Sequence, residues 1–279
     1  KIALFFKKPV MLYAQGIGPV RGIKARKAVQ KVLQQVAVIG VRDRESKAEL
    51  SDMGVTRPPI HVTADAVLSM HPVDKAIGRQ ILERHGFTGS RRKVGIAVRN
   101  WQGHQAYKDA IAEAADRLQQ QEDVDIIFIP MQHPEDVDAG RDIADRMKRA
   151  AIVLDDRYST VEFMSLMGCM DAVIANRLHA LIFSALMETP ATAISYDPKI
   201  DSFIHLIGDR VCGTTESVTA EALASRVSQQ LAQGGLAPAI KARLNHLRRQ
   251  SLRNAYLALR ILEGRDGVRK RLEQHRRSL

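Results

Sequence analysis

A length of 279 residues gives room for one large or two ordinary domains, and 45% hydrophobic with 26% charged residues excludes a disordered chain. No apolar run reaches the roughly 18 residues of a membrane-spanning helix. Cys169 and Cys212 lack metal-ligand spacing, so we expect buried free thiols in a reducing, cytoplasmic setting. The net charge of +11 is concentrated in residues 240–279, which hold twelve basic and three acidic residues.

The first part of the chain alternates strand and helix patterns, as in a parallel sheet with crossover helices. The predicted elements are strand 11–14, helix 24–36, strand 37–41, a helix from Asp43 to Gly54, strand Ile60–Val62 and an amphipathic helix near 74–85. Asp43 suits an N-cap, and Gly54 suits the position after a last helical turn. Residues 1–6 resemble the end of a helix without the usual opening strand, so we expect an N-terminal domain that is incomplete at its start.

The alternation restarts after residue 88. Predicted strands are 94–98, 125–129, 152–154, 172–175 and 191–195, and predicted helices are 105–121, 134–150, 159–167, 180–187, 202–207 and 219–231. Ser159 and Glu162 have the spacing of a capping box. We therefore predict an α/β chain with domains 1–88 and 89–235, followed by a basic helical tail, 236–279, that packs back on the first domain.

Candidate functional residues are those just after predicted strands, because open α/β sheets bind ligands beyond the carboxyl ends of their strands. In chain order they are Gly16, Gly18, Arg42, Asp65, Arg99, Asn100, Gln132, His133, Asn176, Arg177, His179, Asp197 and Lys199. Three arginines, a lysine and two histidines in this set indicate an anionic ligand with more than one charge.

The segment from Asn176 to His179 is the strongest single candidate. With Asn176 as N-cap, Arg177 and His179 would lie in the first turn of a helix, where unpaired N–H groups and the helix dipole favour an anion. This pattern predicts a phosphate or carboxylate site with a proton donor beside it. The structural alternative is that Arg177 pairs with an acidic residue and His179 is a core histidine.

Two further segments support an anion site less specifically. Pro198 bars the preceding strand from continuing and restrains Asp197 to extended backbone, which would hold Lys199 near the strand end. A surface lysine in a turn is the alternative. Gly16-Ile17-Gly18 would let the backbone approach a ligand, but without a further x-x-Gly it is not a dinucleotide fingerprint. Arg42 ends its strand and is a candidate of the same kind.

These segments together resemble the polysaccharide pyruvyl transferase family. The matching pieces are Tyr13-Ala-Gln-Gly16-Ile-Gly18-Pro19, Val41-Arg42-Asp43-x-x-Ser46, Gly95-Ile-Ala-Val-Arg99, Ile129-Pro-Met-Gln132, Arg177-Leu178-His179-Ala180-Leu181-Ile182 and Tyr196-Asp197-Pro198-Lys199. The last two, in this order and spacing, are the most specific. The resemblance covers nearly the whole chain up to the basic tail, and it is strongest to bacterial members that pyruvylate an N-acetylmannosamine unit of secondary cell-wall polymers.

The resemblance implies a GT-B-like fold, with two Rossmann-like domains whose parallel sheets face each other across a cleft. It implies that the family's opening segment, which carries a Gly-Asp-Glu motif, is absent from this sequence. The implied reaction moves the enolpyruvyl group of phosphoenolpyruvate (PEP) onto two hydroxyls of a sugar in a lipid-linked glycan. PEP would be the donor substrate, and neither a metal nor another cofactor is expected.

The resemblance also implies roles for individual residues. The residues expected to bind the phosphate and carboxylate of PEP are Arg42, Arg99, Arg177 and Lys199. His179 would protonate the methylene carbon of PEP, and Asp65, Asp197 or Glu162 would act as base for the sugar hydroxyl. For Glu162 the capping box is the favoured role. Gly16, Gly18, Asn176, His133 and Asp197 complete the expected cleft. Ala66 departs from the family, which often has proline after the aspartate.

The basic tail repeats apolar residues at helical spacing with arginines between them. A helix packed on the first domain is one interpretation, and a basic face in peripheral contact with an anionic membrane is the other. Nucleic-acid binding is disfavoured because no aromatic residue except Tyr256 is interleaved with the basic ones, and no motif supports it.

Two rival functions are compatible with the sequence. One is a nucleotide-sugar glycosyltransferase or epimerase on the same GT-B-like fold, which should bind UDP. The other is a membrane-associated scaffold that uses only the basic tail. A dinucleotide-dependent enzyme is disfavoured by the incomplete glycine pattern.

Overall fold

The computed structural model describes residues 1–277, with the surroundings of the side chains of residues 1–263. The basic residues of 264–279, which carry much of the predicted tail charge, lie outside those described side chains. The chain divides into two compact units. Unit 1 comprises Lys1–Met70 and the chain from Asn245 onward, and unit 2 comprises His71–Leu244.

Unit 1 is built on three parallel strands, in the order β1-β2-β3. Its elements are α1 (Ile2–Phe5), β1 (Met11–Gln15), α2 (Ile23–Leu33), β2 (Val38–Val41), α3 (Arg44–Asp52), β3 (Ile60–Val62) and a 3₁₀ turn (Ala66–Ser69). Apolar side chains of β2 and α3, including Ile39, Val41 and Leu50, form its core. Asp43 caps α3 by accepting a hydrogen bond from the backbone N–H of Ser46 at 2.7 Å, which confirms the predicted helix start.

Unit 2 has a six-stranded parallel sheet in the order β6-β5-β4-β7-β8-β9. Its strands are β4 (Lys93–Ala97), β5 (Asp125–Phe128), β6 (Ile152–Val153), β7 (Ala172–Ala175), β8 (Ala191–Ser195) and β9 (Gly213–Thr214). Its helices are α4 (Lys75–Arg84), α5 (Ala106–Gln121), α6 (Glu135–Ala144), α7 (Thr160–Gly168), α8 (Leu178–Leu186), α9 (Pro198–Leu206) and α10 (Ala220–Gln233). The Ser159–Glu162 capping box is confirmed at the start of α7.

The boundaries of the two units differ from the predicted 88/89 and 235/236. Helix α4 belongs to unit 2 because it packs on α7 through a close backbone approach. The hydroxyl of Ser165 accepts from the N–H of Gly78 and donates to the carbonyl of Asp74, both at 2.6 Å. A Cβ at Gly78 would lie 2.6 Å from the Ser165 carbonyl oxygen, so this contact requires glycine.

The last helix, α11 (Pro238–Arg277), belongs to unit 1 from residue 245 onward, and its Leu247 and Leu257 are buried. Asn254 is fully buried; its Oδ1 accepts from the Thr63 hydroxyl at 3.0 Å. The hydroxyl of Ser251 donates to the carbonyl of Asp65 at 2.8 Å. Within the part of the chain that the structure describes, no helix is both long and apolar enough to cross a bilayer.

Two predicted helices have different bounds for identifiable reasons. Helix α6 ends at Ala144 rather than 150 because the carboxylate of Asp116, on α5, accepts from the N–H groups of Lys148 and Arg149 at 2.9–3.0 Å. Helix α9 begins at Pro198 rather than 202, since Asp197 caps it and proline is favourable in a first turn.

Candidate functional site

The carboxyl ends of β5, β4, β7 and β8 are neighbours in the sheet of unit 2. Because these strands are parallel, the loops that follow them meet at one edge. The predicted residues found there are Arg99, Asn100, Gln132, His133, Asn176, Arg177, His179, Asp197 and Lys199. This group is called the unit 2 edge below. Gly16, Gly18, Arg42 and Asp65 lie together in unit 1.

Asn176 connects two of the strand ends at the unit 2 edge. Its Oδ1 accepts from the Arg99 N–H at 2.9 Å, and its Nδ2 donates to the Arg99 carbonyl at 3.2 Å. The side chain is fully buried. The prediction that Asn176 caps the following helix is therefore wrong: Arg177 is the N-cap of α8, without a side-chain capping bond. The amide side chain is used across the sheet instead.

Arg177 forms a two-pronged ion pair with Asp136. Its Nε donates to Asp136 Oδ2 at 2.7 Å, and its Nη2 donates to Oδ1 of the same carboxylate and to Gln132 Oε1. Asp136 is fully buried and also accepts from the backbone N–H groups of Met131 and Gln132, both at 3.1 Å. The Asp136 carboxylate thus compensates the charge of Arg177. Pairing of Arg177 with an acidic residue was the structural alternative in the sequence analysis.

Arg99 has a different environment. Its guanidinium carbon lies 5.9 Å from the ring centre of Trp101 and 5.8 Å from that of Tyr196, and the two rings are 4.2 Å apart. Its Nε is buried without a hydrogen-bond partner among the described residues. Aromatic faces attract a guanidinium without neutralising it, so Arg99 retains its charge at the edge.

Lys199 adds a second cation beside the same aromatic pair. Its Nζ lies 5.4 Å from the ring centre of Tyr196 and 3.5 Å from Asp197 Oδ2. Asp197 has extended backbone, as predicted, and its Oδ1 accepts from the Lys199 N–H at 3.0 Å. One carboxylate therefore both caps α9 and contacts the lysine.

The two histidines of the unit 2 edge differ in exposure. His179 lies in the first turn of α8 and is exposed, with its ring stacked 6.3 Å from that of Phe183. It is therefore not a core histidine. His133 is half-buried, and its Nε2 is buried without a partner among the described residues. An exposed imidazole at a helix start is accessible to an anionic ligand.

In unit 1, Arg42 lies between two carboxylates. Its Nη1 donates to Asp65 Oδ2 at 3.2 Å, and its Nε lies 3.5 Å from Asp43 Oδ2. Asp65 also accepts from the Val67 N–H at 3.0 Å and so caps the 3₁₀ turn. Both predicted side chains thus have structural partners.

The two predicted glycines have steric explanations within unit 1. A Cβ at Gly16 would lie 2.7 Å from the guanidinium of Arg42, so the glycine allows that side chain to pack against the loop. Gly18 has a left-handed φ of 89°, and a Cβ there would lie 2.7 Å from the Glu49 side chain. The loop between them is held by Ile17, whose N–H donates to the Ser46 hydroxyl at 2.8 Å.

The polysaccharide pyruvyl transferase family model matches residues 1–198 of the 279. This chain belongs to that family. No curated protein sequence matches it. The match covers all of the β-strands except β9, and it includes every predicted site residue except Lys199.

Solved structures with similar folds include nucleotide-sugar epimerases and a glycosyltransferase. Staphylococcus aureus MnaA in complex with UDP has a TM-score of 0.65 at 11% identity, over 94% of this chain and 72% of that one. Neisseria meningitidis UDP-GlcNAc 2-epimerase bound to UDP-GlcNAc has a TM-score of 0.58 at 10% identity, over 90% and 71%. A glycosyltransferase from Rickettsia africae has a TM-score of 0.56 at 13% identity, over 99% and 78%. The fold of this family member is therefore α/β and GT-B-like.

Two residues that shape the site were missed by sequence reasoning. Asp136 lies 41 positions before Arg177, and nothing in its acidic neighbourhood at the start of α6 distinguishes it from Glu135 or Asp138. Trp101 follows Arg99 closely, and as the single tryptophan of the chain it was a detectable signal. Among the described residues, no group of three or more His, Cys, Asp or Glu side chains could hold a metal ion.

Proposed function

We propose that this chain transfers the enolpyruvyl group of PEP to two hydroxyls of a sugar and forms a cyclic pyruvate ketal. The observation that carries the proposal is the unit 2 edge, where Arg99 and Lys199 flank Tyr196 in a member of the pyruvyl transferase family. PEP carries a phosphate and a carboxylate, so a site with two cations complements it.

The cations of the unit 2 edge would bind PEP in two different ways. Arg99 and Lys199 supply positive charge, since the first has no carboxylate partner among the described residues and the second has a 3.5 Å contact with Asp197. The charge of Arg177 is offset by Asp136, and its Nε and Nη2 are engaged. We propose that Arg177 meets the donor through Nη1, as an oriented hydrogen-bond donor more than as a net charge.

His179 is the proposed general acid. As imidazolium it would give a proton to the methylene carbon of PEP, which leaves an oxocarbenium-like centre at C2. A sugar hydroxyl forms a C–O bond to C2 and loses its proton to a base; the bond from C2 to the phosphate oxygen breaks, and a second hydroxyl closes the ketal with loss of its proton. Histidine titrates close enough to neutrality for this role.

Two residues of unit 1 remain proposals from the resemblance. Asp65 is the proposed base for the sugar hydroxyl, and Arg42, with which it pairs at 3.2 Å, is a proposed donor contact. Asp197 is the alternative base; like Asp65, it caps a helical turn and contacts a cation, here Lys199. We propose that no metal takes part, so turnover should survive chelation of divalent cations.

The acceptor that we propose is a lipid-linked glycan precursor bearing N-acetylmannosamine, as in secondary cell-wall polymer synthesis. Such an acceptor would place the enzyme in the cytoplasm, at the inner face of the plasma membrane.

The experiment that tests the donor is calorimetric titration of the chain with PEP and, separately, with UDP. PEP binding that is lost in Arg99→Gln supports the proposal, and screening of glycan acceptors follows. A second candidate, a nucleotide-sugar epimerase or glycosyltransferase, is favoured by the UDP and UDP-GlcNAc bound to the similar structures. Binding of UDP without PEP would reject pyruvyl transfer in favour of that candidate.

A further inference from the structure

Helix α11 has two faces with different chemistry after residue 245. One face is buried against unit 1 and includes Leu247, Ser251, Asn254 and Leu257. The opposite face carries residues that recur at three- and four-residue spacing. These are Arg249, Leu252, Arg253, Tyr256 and Arg260, called the outer stripe below. All five side chains of the outer stripe are exposed.

The outer stripe contains two exposed large apolar side chains. Leu252 is 56% exposed and Tyr256 is 43% exposed, and they lie one helical turn apart. A single exposed leucine is ordinary, but here a leucine and a tyrosine share one line with three arginines. Arg260 lies with its guanidinium carbon 5.9 Å from the Tyr256 ring centre, so the cationic and aromatic groups form one surface.

The positive charge of the outer stripe extends over the neighbouring part of unit 1. Burial is the main cause that lowers the pKa of His61, on β3, and the positive charges of Arg253, Arg260 and Lys47 lower it further. An acidic side chain, Glu263, follows one turn after the stripe and is half-buried. This single carboxylate does not balance the three arginines of the stripe, so the surface remains cationic.

We infer that the outer stripe docks on an anionic lipid surface, with Leu252 and Tyr256 at the level of the head groups and the three arginines against lipid phosphates. Helices that lie in the membrane interface combine basic residues with leucine and aromatic side chains in this manner. Tyrosine suits the interface because its ring is apolar and its hydroxyl stays hydrated. The inference concerns where the chain works and does not depend on the donor chemistry proposed above.

A nucleic-acid surface fits the outer stripe less well. Arginines would contact its phosphates too, but single strands are usually held by several stacked aromatic groups, and the stripe offers one tyrosine. Leu252 would have no apolar partner on a phosphate backbone. Apolar contact is thus the feature that separates a lipid surface from other polyanions.

Vesicle co-sedimentation of the 279-residue chain tests the inference. The probes are phosphatidylcholine vesicles with about one-third phosphatidylglycerol and vesicles of phosphatidylcholine alone. The first variant, Arg249→Gln/Arg253→Gln/Arg260→Gln, removes three charges from the stripe. Its control, Lys24→Gln/Lys27→Gln/Lys31→Gln, removes three charges from exposed positions of α2 in the same unit.

We expect the wild type to bind the anionic vesicles and not the neutral ones. The arginine variant should bind at least about tenfold more weakly, since it lacks three cations that would face the anionic head groups. The control should change binding about threefold or less through long-range charge alone. Leu252→Ser/Tyr256→Ser should weaken vesicle binding while leaving binding to heparin, a polyanion without an apolar phase, unchanged.

Three results would overturn the inference. Equal losses in the arginine variant and its control would mean that net charge acts without a defined surface. If the serine variant loses vesicle binding and heparin binding equally, Leu252 and Tyr256 make no apolar contact with lipid. Light scattering that shows self-association lost in the serine variant would assign the stripe to a second copy of the chain. Thermal melting of each variant checks that it is folded, and PEP binding should be unaffected in all of them.

Discussion

Two arginines at the unit 2 edge follow adjacent strands and have opposite electrostatic environments. Arg177, after β7, is 15% exposed and paired with a carboxylate that is fully buried. Arg99, after β4, lies beside the adjoining rings of Trp101 and Tyr196, and its Nε has no partner among the described residues. Both positions were predicted as anion-binding from the same pattern, an arginine at a strand end.

The comparison distinguishes an arginine that is neutralised by a carboxylate of the protein, Arg177, from one whose charge is available to a ligand, Arg99. The carboxylate of Asp136 also accepts from two backbone N–H groups of the loop after β5, so Arg177 fixes that loop to the start of α8. Removing a partner of a buried ion pair leaves an uncompensated charge, whereas removing an arginine that lies on aromatic rings does not. Substitutions at the two positions should therefore have different signatures.

His179→Ala should have the largest effect on turnover. It tests whether a side chain in the first turn of α8, the helix that begins at Arg177, donates the proton. If His179 donates the proton, turnover should fall by about 10²–10⁴-fold while PEP affinity stays within about tenfold. Steady-state kinetics and calorimetry on the same preparations separate the two quantities. His205→Ala, at an exposed position of α9, is the matched control and should behave as wild type. Loss of PEP binding with unchanged melting would make His179 a binding residue instead.

Asp136→Ala should give the largest loss of stability. The substitution leaves Arg177 without its carboxylate and two backbone N–H groups without their acceptor, so we expect the free energy of unfolding to fall by about 3–5 kcal/mol. Thermal unfolding should show this as a melting temperature lower by about 10 °C. Asp138→Ala removes an exposed carboxylate from the same helical turn and should change little. Equal melting of the two variants would contradict the structural role of the ion pair.

The pair Arg99→Gln and Arg177→Gln compares the two arginines directly. Arg99→Gln should weaken PEP binding by about 10- to 100-fold, the contribution of hydrogen bonds to a charged group, with little change in melting temperature. Arg177→Gln should lower the melting temperature because Asp136 stays buried and unpaired. Calorimetry and thermal melting of both variants provide the test. If Arg99→Gln melts early and Arg177→Gln only weakens binding, the two assignments are reversed.

Local signals explain how much of this fold was predictable. The strands Ile60–Val62, Ala172–Ala175 and Ala191–Ser195 were placed with their observed bounds, because each is a short apolar run between turn residues. The caps Asp43 and Ser159 were identified because a capping side chain and the N–H that it accepts from are three residues apart.

What the sequence could not show are contacts between distant residues. Asn176 is a good N-cap by residue type, but its amide bonds to the backbone of Arg99, 77 positions away. The end of α6 depends on Asp116, which accepts from the N–H of Lys148, 32 positions later. The pairing of Arg177 with Asp136 is of the same kind. The pattern of strand ends predicted which cations share one edge of the sheet, but not which of them a carboxylate neutralises.

The smallest expected effect is on stability, and it concerns the hydrogen bond between Tyr107 and the backbone of Arg99. The Tyr107 hydroxyl donates to the Arg99 carbonyl at 2.7 Å, and burial raises the pKa of Tyr107 to about 12. Tyr107→Phe should cost about 1 kcal/mol of unfolding free energy near neutral pH, the net value of one hydrogen bond. Because the folded-state pKa is raised, the contribution of this tyrosine is complete below the unfolded pKa of about 10 and is lost as the pH rises toward 12. Denaturant unfolding at several pH values should therefore show wild type and variant converging above pH 10, and a difference that persists to pH 12 would show that the hydroxyl is not what steadies the Arg99 backbone.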